Sequence, residues 1–118
     1  MRCAVEKGSP PWGNWFVLQD EPDFKAKRIE VYPGKRLSYQ KHFKRLERWE
    51  IVRGEGRVTL DGRDYPVAAG DDGITIPREA LHRIENTGST DLVLVEIQRG
   101  EYFGEDDIVR MEDDFGRI

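Results

Sequence analysis

Short runs of β-branched and aromatic residues, broken by turn residues, follow one another along almost the whole chain, and no segment shows the apolar period of about 3.6 residues that marks a long helix. The runs are Trp15 to Leu18, Lys25 to Val31, Leu37 to Phe43, Glu47 to Arg53, Arg57 to Leu60, Asp64 to Val67, Gly73 to Ile76, His82 to Asn86 and Leu92 to Arg99. Between two of them, Asp61-Gly62 is a two-residue hairpin signal, because glycine accepts positive φ without strain. Glu105 to Met111 reads as one or two helical turns. Strands this short cannot bury a core singly. Two antiparallel sheets set face to face solve the problem with few exposed edges, which predicts an all-β chain folded as a double-stranded jelly roll. Residues 1–118 read as a single domain, with a flexible N-terminus over 1–10 and a C-terminal extension over 105–118.

The chemistry-bearing residues sit inside these runs. Side chains two apart in a strand share a face, so Gln40 and His42 aim inward while Lys41 aims outward. Glu47 follows a short kink, Phe43 to Leu46, and heads the next strand; Trp49 shares its parity and would wall the same cavity. The segment Gly73 to Asn86 reads as a strand, a turn marked by Pro77, and a second strand carrying His82, a hairpin that would set His82 opposite His42. A single histidine among apolar residues is usually a packed, hydrogen-bonded side chain. Two imidazoles and a carboxylate in matching strand positions form instead a set that binds zinc, manganese, iron, nickel or cobalt, with the Gln40 oxygen as a fourth ligand and positions left for water or substrate. Lys44, two residues beyond His42, would continue the inward face and there bind phosphate or act as a base.

Composition narrows the partners. With 118 residues, 36% of them charged and 37% hydrophobic, the chain can build one modest core, which a homodimer would reinforce. A net charge of -4 without a basic stripe argues against nucleic acid. The one cysteine, Cys3, cannot form an internal disulfide and fits a reducing cytoplasm. No apolar run has the length of a membrane span or the character of a signal peptide, so a cytoplasmic protein without membrane contact is expected. The acidic run Glu112-Asp113-Asp114 reads as solvated tail.

Gly34, Gln40, His42, Glu47 and Gly54 keep the spacing of the first motif of the cupin superfamily, with glutamine for the first histidine, and Pro77, His82 and Asn86 resemble the second, with Glu79 where glycine is usual. Pro11-Trp12-Gly13, Leu37 to His42, Glu47-Arg48-Trp49, His82 to Asn86 and Gly104 to Arg110 look like the C-terminal domain of type II mannose-6-phosphate isomerases. That resemblance implies interconversion of mannose 6-phosphate and fructose 6-phosphate by a domain holding a divalent metal ion, zinc foremost, on Gln40, His42, Glu47 and His82. It leaves the proton carrier among Lys44, Glu79 and Lys27, and phosphate capture among Arg48, Arg83, Arg110 and Lys27. Lys44 and Arg48 stand where the family has histidines, a departure that bears on catalysis before fold or metal. Two other readings stay open: a metal-binding cupin that recognises a sugar or small acid without turnover, and a non-haem iron oxygenase built on the same two histidines and carboxylate.

Overall fold

A computed structural model describes residues 6–116; Cys3 and the rest of residues 1–5 lie outside the described residues, as do 117–118. Eleven strands follow one another: β1 Glu6–Gly8, β2 Gly13–Asp20, β3 Phe24–Val31, β4 Tyr39–Lys41, β5 Arg45–Arg53, β6 Glu55–Leu60, β7 Arg63–Ala68, β8 Ile74–Ile76, β9 His82–Asn86, β10 Leu92–Gly100 and β11 Val109–Glu112. They make two antiparallel sheets, one in the order β1-β2-β3-β10-β5-β8 and the other β11-β4-β9-β6-β7. The fold is the expected all-β double-stranded β-helix, and among the described residues there is no helix.

Period-two alternation sets what each strand buries. Along β5, Arg45, Glu47, Trp49 and Ile51 are buried while Arg48, Glu50 and Val52 are exposed. The apolar half of that face meets Val58, Ile84, Leu92 and Leu94 to form the core, and the polar half lies toward one end of the barrel. The Asp61-Gly62 hairpin forms as expected, with φ of 47° and 81° and Leu60 paired to Arg63. Gly54 is needed at its motif position, since its φ is 86° and a Cβ there would come within 2.9 Å of the Asp91 carbonyl.

Four expectations are corrected. Strands β8 and β9 do not form a hairpin: β8 pairs with β5 in one sheet and β9 with β4 and β6 in the other, so the Pro77 turn crosses between sheets. The Leu37 to Phe43 strand is shorter, ending at Lys41, where the chain bends through Phe43 and Lys44. The helical turns expected over Glu105 to Met111 are a turn followed by β11, which satisfies the backbone of the outer edge of β4. Glu6, Lys7 and Gly8, expected in a flexible terminus, are registered against Val17, Phe16 and Trp15 as the edge strand β1.

Glu79 occupies the left-handed region, with φ 65°, where the cupin motif has glycine. Its N–H donates to the His42 carbonyl at 2.7 Å, which holds the β8–β9 connection against the segment after β4 and enforces this conformation. Its side chain is exposed, so Glu79→Gly removes strain and little else. Urea unfolding is expected to show a gain of about 0.5 to 1 kcal/mol in that variant; a loss would mean that the carboxylate makes a stabilising contact.

Candidate metal centre

His42, Glu47 and His82 are all buried, and their ligating atoms lie within 4.8 Å of one another. Three different stretches deliver them. Glu47 comes from β5 of the first sheet, His82 from the start of β9 in the second, and His42 from the residue just past β4. Gln40, not His42, is registered opposite His82, so the amide and the imidazole leave the same face of the sheet. The two imidazole rings are nonetheless neighbours, with centroids 5.3 Å apart.

Hydrogen bonds behind the rings fix their tautomers. Nδ1–H of His42 donates to the Asp107 carbonyl at 2.6 Å, and Nδ1–H of His82 to the Ala80 carbonyl at 2.9 Å. Each ring therefore presents an Nε2 lone pair toward Glu47, at 3.4 Å for His42 and 3.9 Å for His82. Acceptors face acceptors across this space. Such a set is stable with a cation among its members, and its composition of two neutral imidazoles and one carboxylate fits a divalent transition ion. Gln40, paired to His82, donates from its amide nitrogen to Ser38 Oγ at 2.9 Å, which leaves the carbonyl oxygen as the end an ion could take.

A second ring of polar groups supports the first. Trp49 Nε1–H is shared between Glu47 Oε1 at 2.9 Å and Glu96 Oε1 at 3.1 Å, and the indole meets His82 edge-on. Gln98 donates to Glu96 Oε2 at 2.7 Å. Arg45, 3% exposed, donates from Nε to Glu47 Oε2 at 2.9 Å, with Nη2 3.2 Å from His42 Nε2 and Nη1 3.8 Å from Glu105 Oε1. Arg45, Glu96 and Gln98 were missed by the sequence reading, although the signal was present: all three share inward parity with Glu47, Trp49 or Leu94 on strands whose inner face is otherwise apolar.

Burial, reinforced by the Arg45 charge, lowers His42 to a pKa of about 4, and burial lowers His82 as well. Burial and the neighbouring Glu47 raise Glu96 to about 7. The imidazoles bind protons more weakly folded than unfolded. Their contribution to metal-free stability is therefore present above pH 6.5 and lost as pH falls toward about 4. Glu96 acts in the opposite sense, contributing stability below pH 4.5 that is lost as pH rises through about 7. Chelator-treated Glu96→Gln protein should thus lose stability more steeply than the wild type between pH 7 and 5, read from urea midpoints; equal slopes would remove Glu96 from the account.

The other sequence candidates divide. Lys27 and Arg110 line a cavity of about 270 Å³ together with Gln40, Trp12, Trp15 and Glu105. Lys27 Nζ bonds Glu105 at 2.6 Å and lies over the Trp15 ring. Lys44 is not inward: the bend at Phe43 and Lys44 shifts the strand parity by one, so Arg45 enters the barrel and Lys44 lies outside over Tyr102. Glu79 is exposed at its turn. Arg48 lies on the outer face of β5, bonded to Thr75, and Arg83 leaves the outer face of β9 to stack on Tyr39 and bond the Leu37 carbonyl. These four therefore do not reach the cluster.

Comparison with known proteins places this geometry. Residues 4–113 match the family described as mannose-6-phosphate isomerase C-terminal. A mannose-1-phosphate guanylyltransferase of Klebsiella pneumoniae is 42% identical over 107 residues, 91% of this chain and 22% of that protein. The alginate biosynthesis protein AlgA of Pseudomonas aeruginosa is 40% identical over 115 residues, 98% of this chain and 23% of its own length. The chain thus spans about a fifth of the length of these relatives. Among solved structures, the capsular polysaccharide assembling protein CapF of Staphylococcus aureus superposes with a TM-score of 0.81 at 22% identity, covering 91% of this chain and 34% of CapF, a likeness of fold. The family match covers nearly the whole chain and includes His42, Glu47 and His82: this chain belongs to the mannose-6-phosphate isomerase C-terminal family.

Proposed function

We propose that the domain is a metal-dependent aldose–ketose isomerase that interconverts mannose 6-phosphate and fructose 6-phosphate. The observation that carries this reading is the buried His42, Glu47 and His82 cluster, with Gln40, the residue paired to His82, lining a cavity of about 270 Å³ whose wall also carries Lys27 and Arg110. The family description and the mannose phosphate chemistry in the relatives' names support it. A divalent ion held by Gln40, His42, Glu47 and His82 would supply Lewis acidity to the carbonyl and hydroxyl oxygens at C1 and C2.

The chain's own residues do the rest. Lys27 and Arg110 offer charge-assisted donors to a phosphate in the cavity, and Trp12 and Trp15 give it aromatic walls. Of the three proton carriers the sequence offered, Lys27 lies in the cavity, bonded to Glu105, and this pair is where a proton leaving C2 can be held and returned to C1. Glu105 is 53% exposed, and against a partial desolvation that raises it Lys27 and Arg45 hold the carboxylate below its ordinary range, ionised at neutral pH. Lys44 and Arg48, the two departures from the family pattern, both project outside the barrel. The cluster keeps all its members despite them, which favours turnover over a binding role.

Proton NMR of zinc-loaded protein with mannose 6-phosphate in heavy water tests the reading. Fructose 6-phosphate forming with exchange of the C2 proton is the expected result. Saturable binding with no product and no exchange would replace the isomerase with a sugar phosphate-binding module. Arg110→Ala is expected to raise KM for mannose 6-phosphate by roughly tenfold or more, the loss of one charged phosphate contact; an unchanged KM would move phosphate capture elsewhere.

A further inference from the structure

Arg45 addresses the same lone pairs that a metal ion would use. Its Nε–H takes Glu47 Oε2 and its Nη2 stands against His42 Nε2, two of the cluster's three ligand side chains. A guanidinium and a divalent ion cannot both take His42 Nε2, which has a single lone pair, and they compete for the charge of Glu47. They repel, and each lone pair serves one partner. The same guanidinium has a second place within reach, because Nη1 is 3.5 Å from the Phe103 carbonyl and 3.8 Å from Glu105 Oε1. Glu105 lines the cavity, whereas Arg45 lies buried between it and the cluster.

We infer that Arg45 is an internal counter-cation that exchanges with the metal: it neutralises Glu47 and donates to the His42 lone pair when they hold no ion, and moves onto Glu105 and the Phe103 carbonyl when they do. The move requires no backbone rearrangement, since both resting places are already contacted by one side chain. It also makes Glu105 a determinant of metal affinity although it is not a ligand. The inference concerns metal occupancy and holds whether or not the isomerase reading does.

A double-mutant cycle on the full chain reads this directly, with zinc affinity measured by competition against a chromophoric chelator at fixed pH. Arg45→Met removes the competitor and should tighten zinc binding roughly tenfold, because a larger fraction of the protein is competent to bind. Glu105→Gln removes the second resting place and should weaken it roughly tenfold in the wild-type background, and by nothing once Arg45 is methionine. Weaker zinc binding in Arg45→Met, or an equal loss for Glu105→Gln in both backgrounds, would overturn the exchange. Should Arg45→Met fail to fold, the wild-type protein still decides. The nitrogen-15 Nε–H signal of Arg45, assigned by its disappearance in Arg45→Lys, should shift and exchange faster with water as zinc is added. A signal unmoved at full zinc occupancy refutes the proposal.

Discussion

His82→Ala protein should bind zinc roughly a hundredfold to a thousandfold more weakly than the wild type, the share of one ligand in the roughly 10 to 16 kcal/mol that a four-ligand zinc site supplies. The imidazole cannot be replaced from nearby. Its Nδ1–H is committed to the Ala80 carbonyl, its ring packs edge-on against Trp49, and its Nε2 faces the buried Glu47 carboxylate at 3.9 Å. Removing it also leaves a hole beside Trp49, expected to lower metal-free stability by about 2 to 4 kcal/mol. The two effects separate in one experiment. Thermal unfolding with and without zinc should show a large metal-dependent rise in Tm for the wild type and essentially none for the variant. Equal zinc stoichiometry in both proteins by mass spectrometry would remove His82 from the ligand set.

Glu47→Leu should be the most destabilising single change in the barrel. The carboxylate is 2% exposed, accepts Arg45 Nε–H and Trp49 Nε1–H at 2.9 Å each, and is the near counter-ion of a guanidinium that is itself 3% exposed. Deleting it strands the guanidinium from its nearest anion and leaves it Glu105 at 3.8 Å, so the loss should approach the value typical of a broken buried pair, about 3 to 5 kcal/mol. A domain stable by about 5 to 15 kcal/mol loses a large part of its margin. The pairing predicts its own rescue. Adding Arg45→Met to Glu47→Leu removes the stranded charge and should restore most of the loss, measured by urea unfolding in the presence of chelator. A single-variant loss below about 1 kcal/mol, in the range of an exposed pair, would contradict the burial of this contact.

Where strand parity ran unbroken, the sequence was legible down to the side chain: Glu47 and Trp49 share the inner face of β5 as read, and the Asp61-Gly62 hairpin closes as read. Parity failed at Phe43 and Lys44. One bend there shifted the inward face from residue 44 to residue 45, and the inward cation became arginine instead of lysine. Long-range pairing was not legible either. Nothing local in Ile74 to Asn86 says that its two strands enter different sheets, because that choice is made by the partners waiting on β5 and β4. The helix expected after Glu105 lost to the unpaired edge of β4, a tertiary demand outside that segment. Glu96 and Gln98 went unread because buried polar residues look like solvent-facing ones until their phase against Leu92 and Leu94 is counted.

The three residues of the candidate metal cluster come from both sheets, and that placement bears on how the barrel opens. Strand β4 is three residues long and carries β11 on its outer side, and this two-stranded edge of the sheet meets β9 at the Gln40–His82 pair, a short ladder to the rest of the barrel. An ion shared by His42, His82 and Glu47 would act as a clasp closing about forty residues of chain and tying β4 and β9 to β5 across the sandwich. Without it, amide hydrogens of β4 exchange through fraying of that edge. With it, they exchange when the whole barrel unfolds, so metal occupancy would fuse two cooperative units into one.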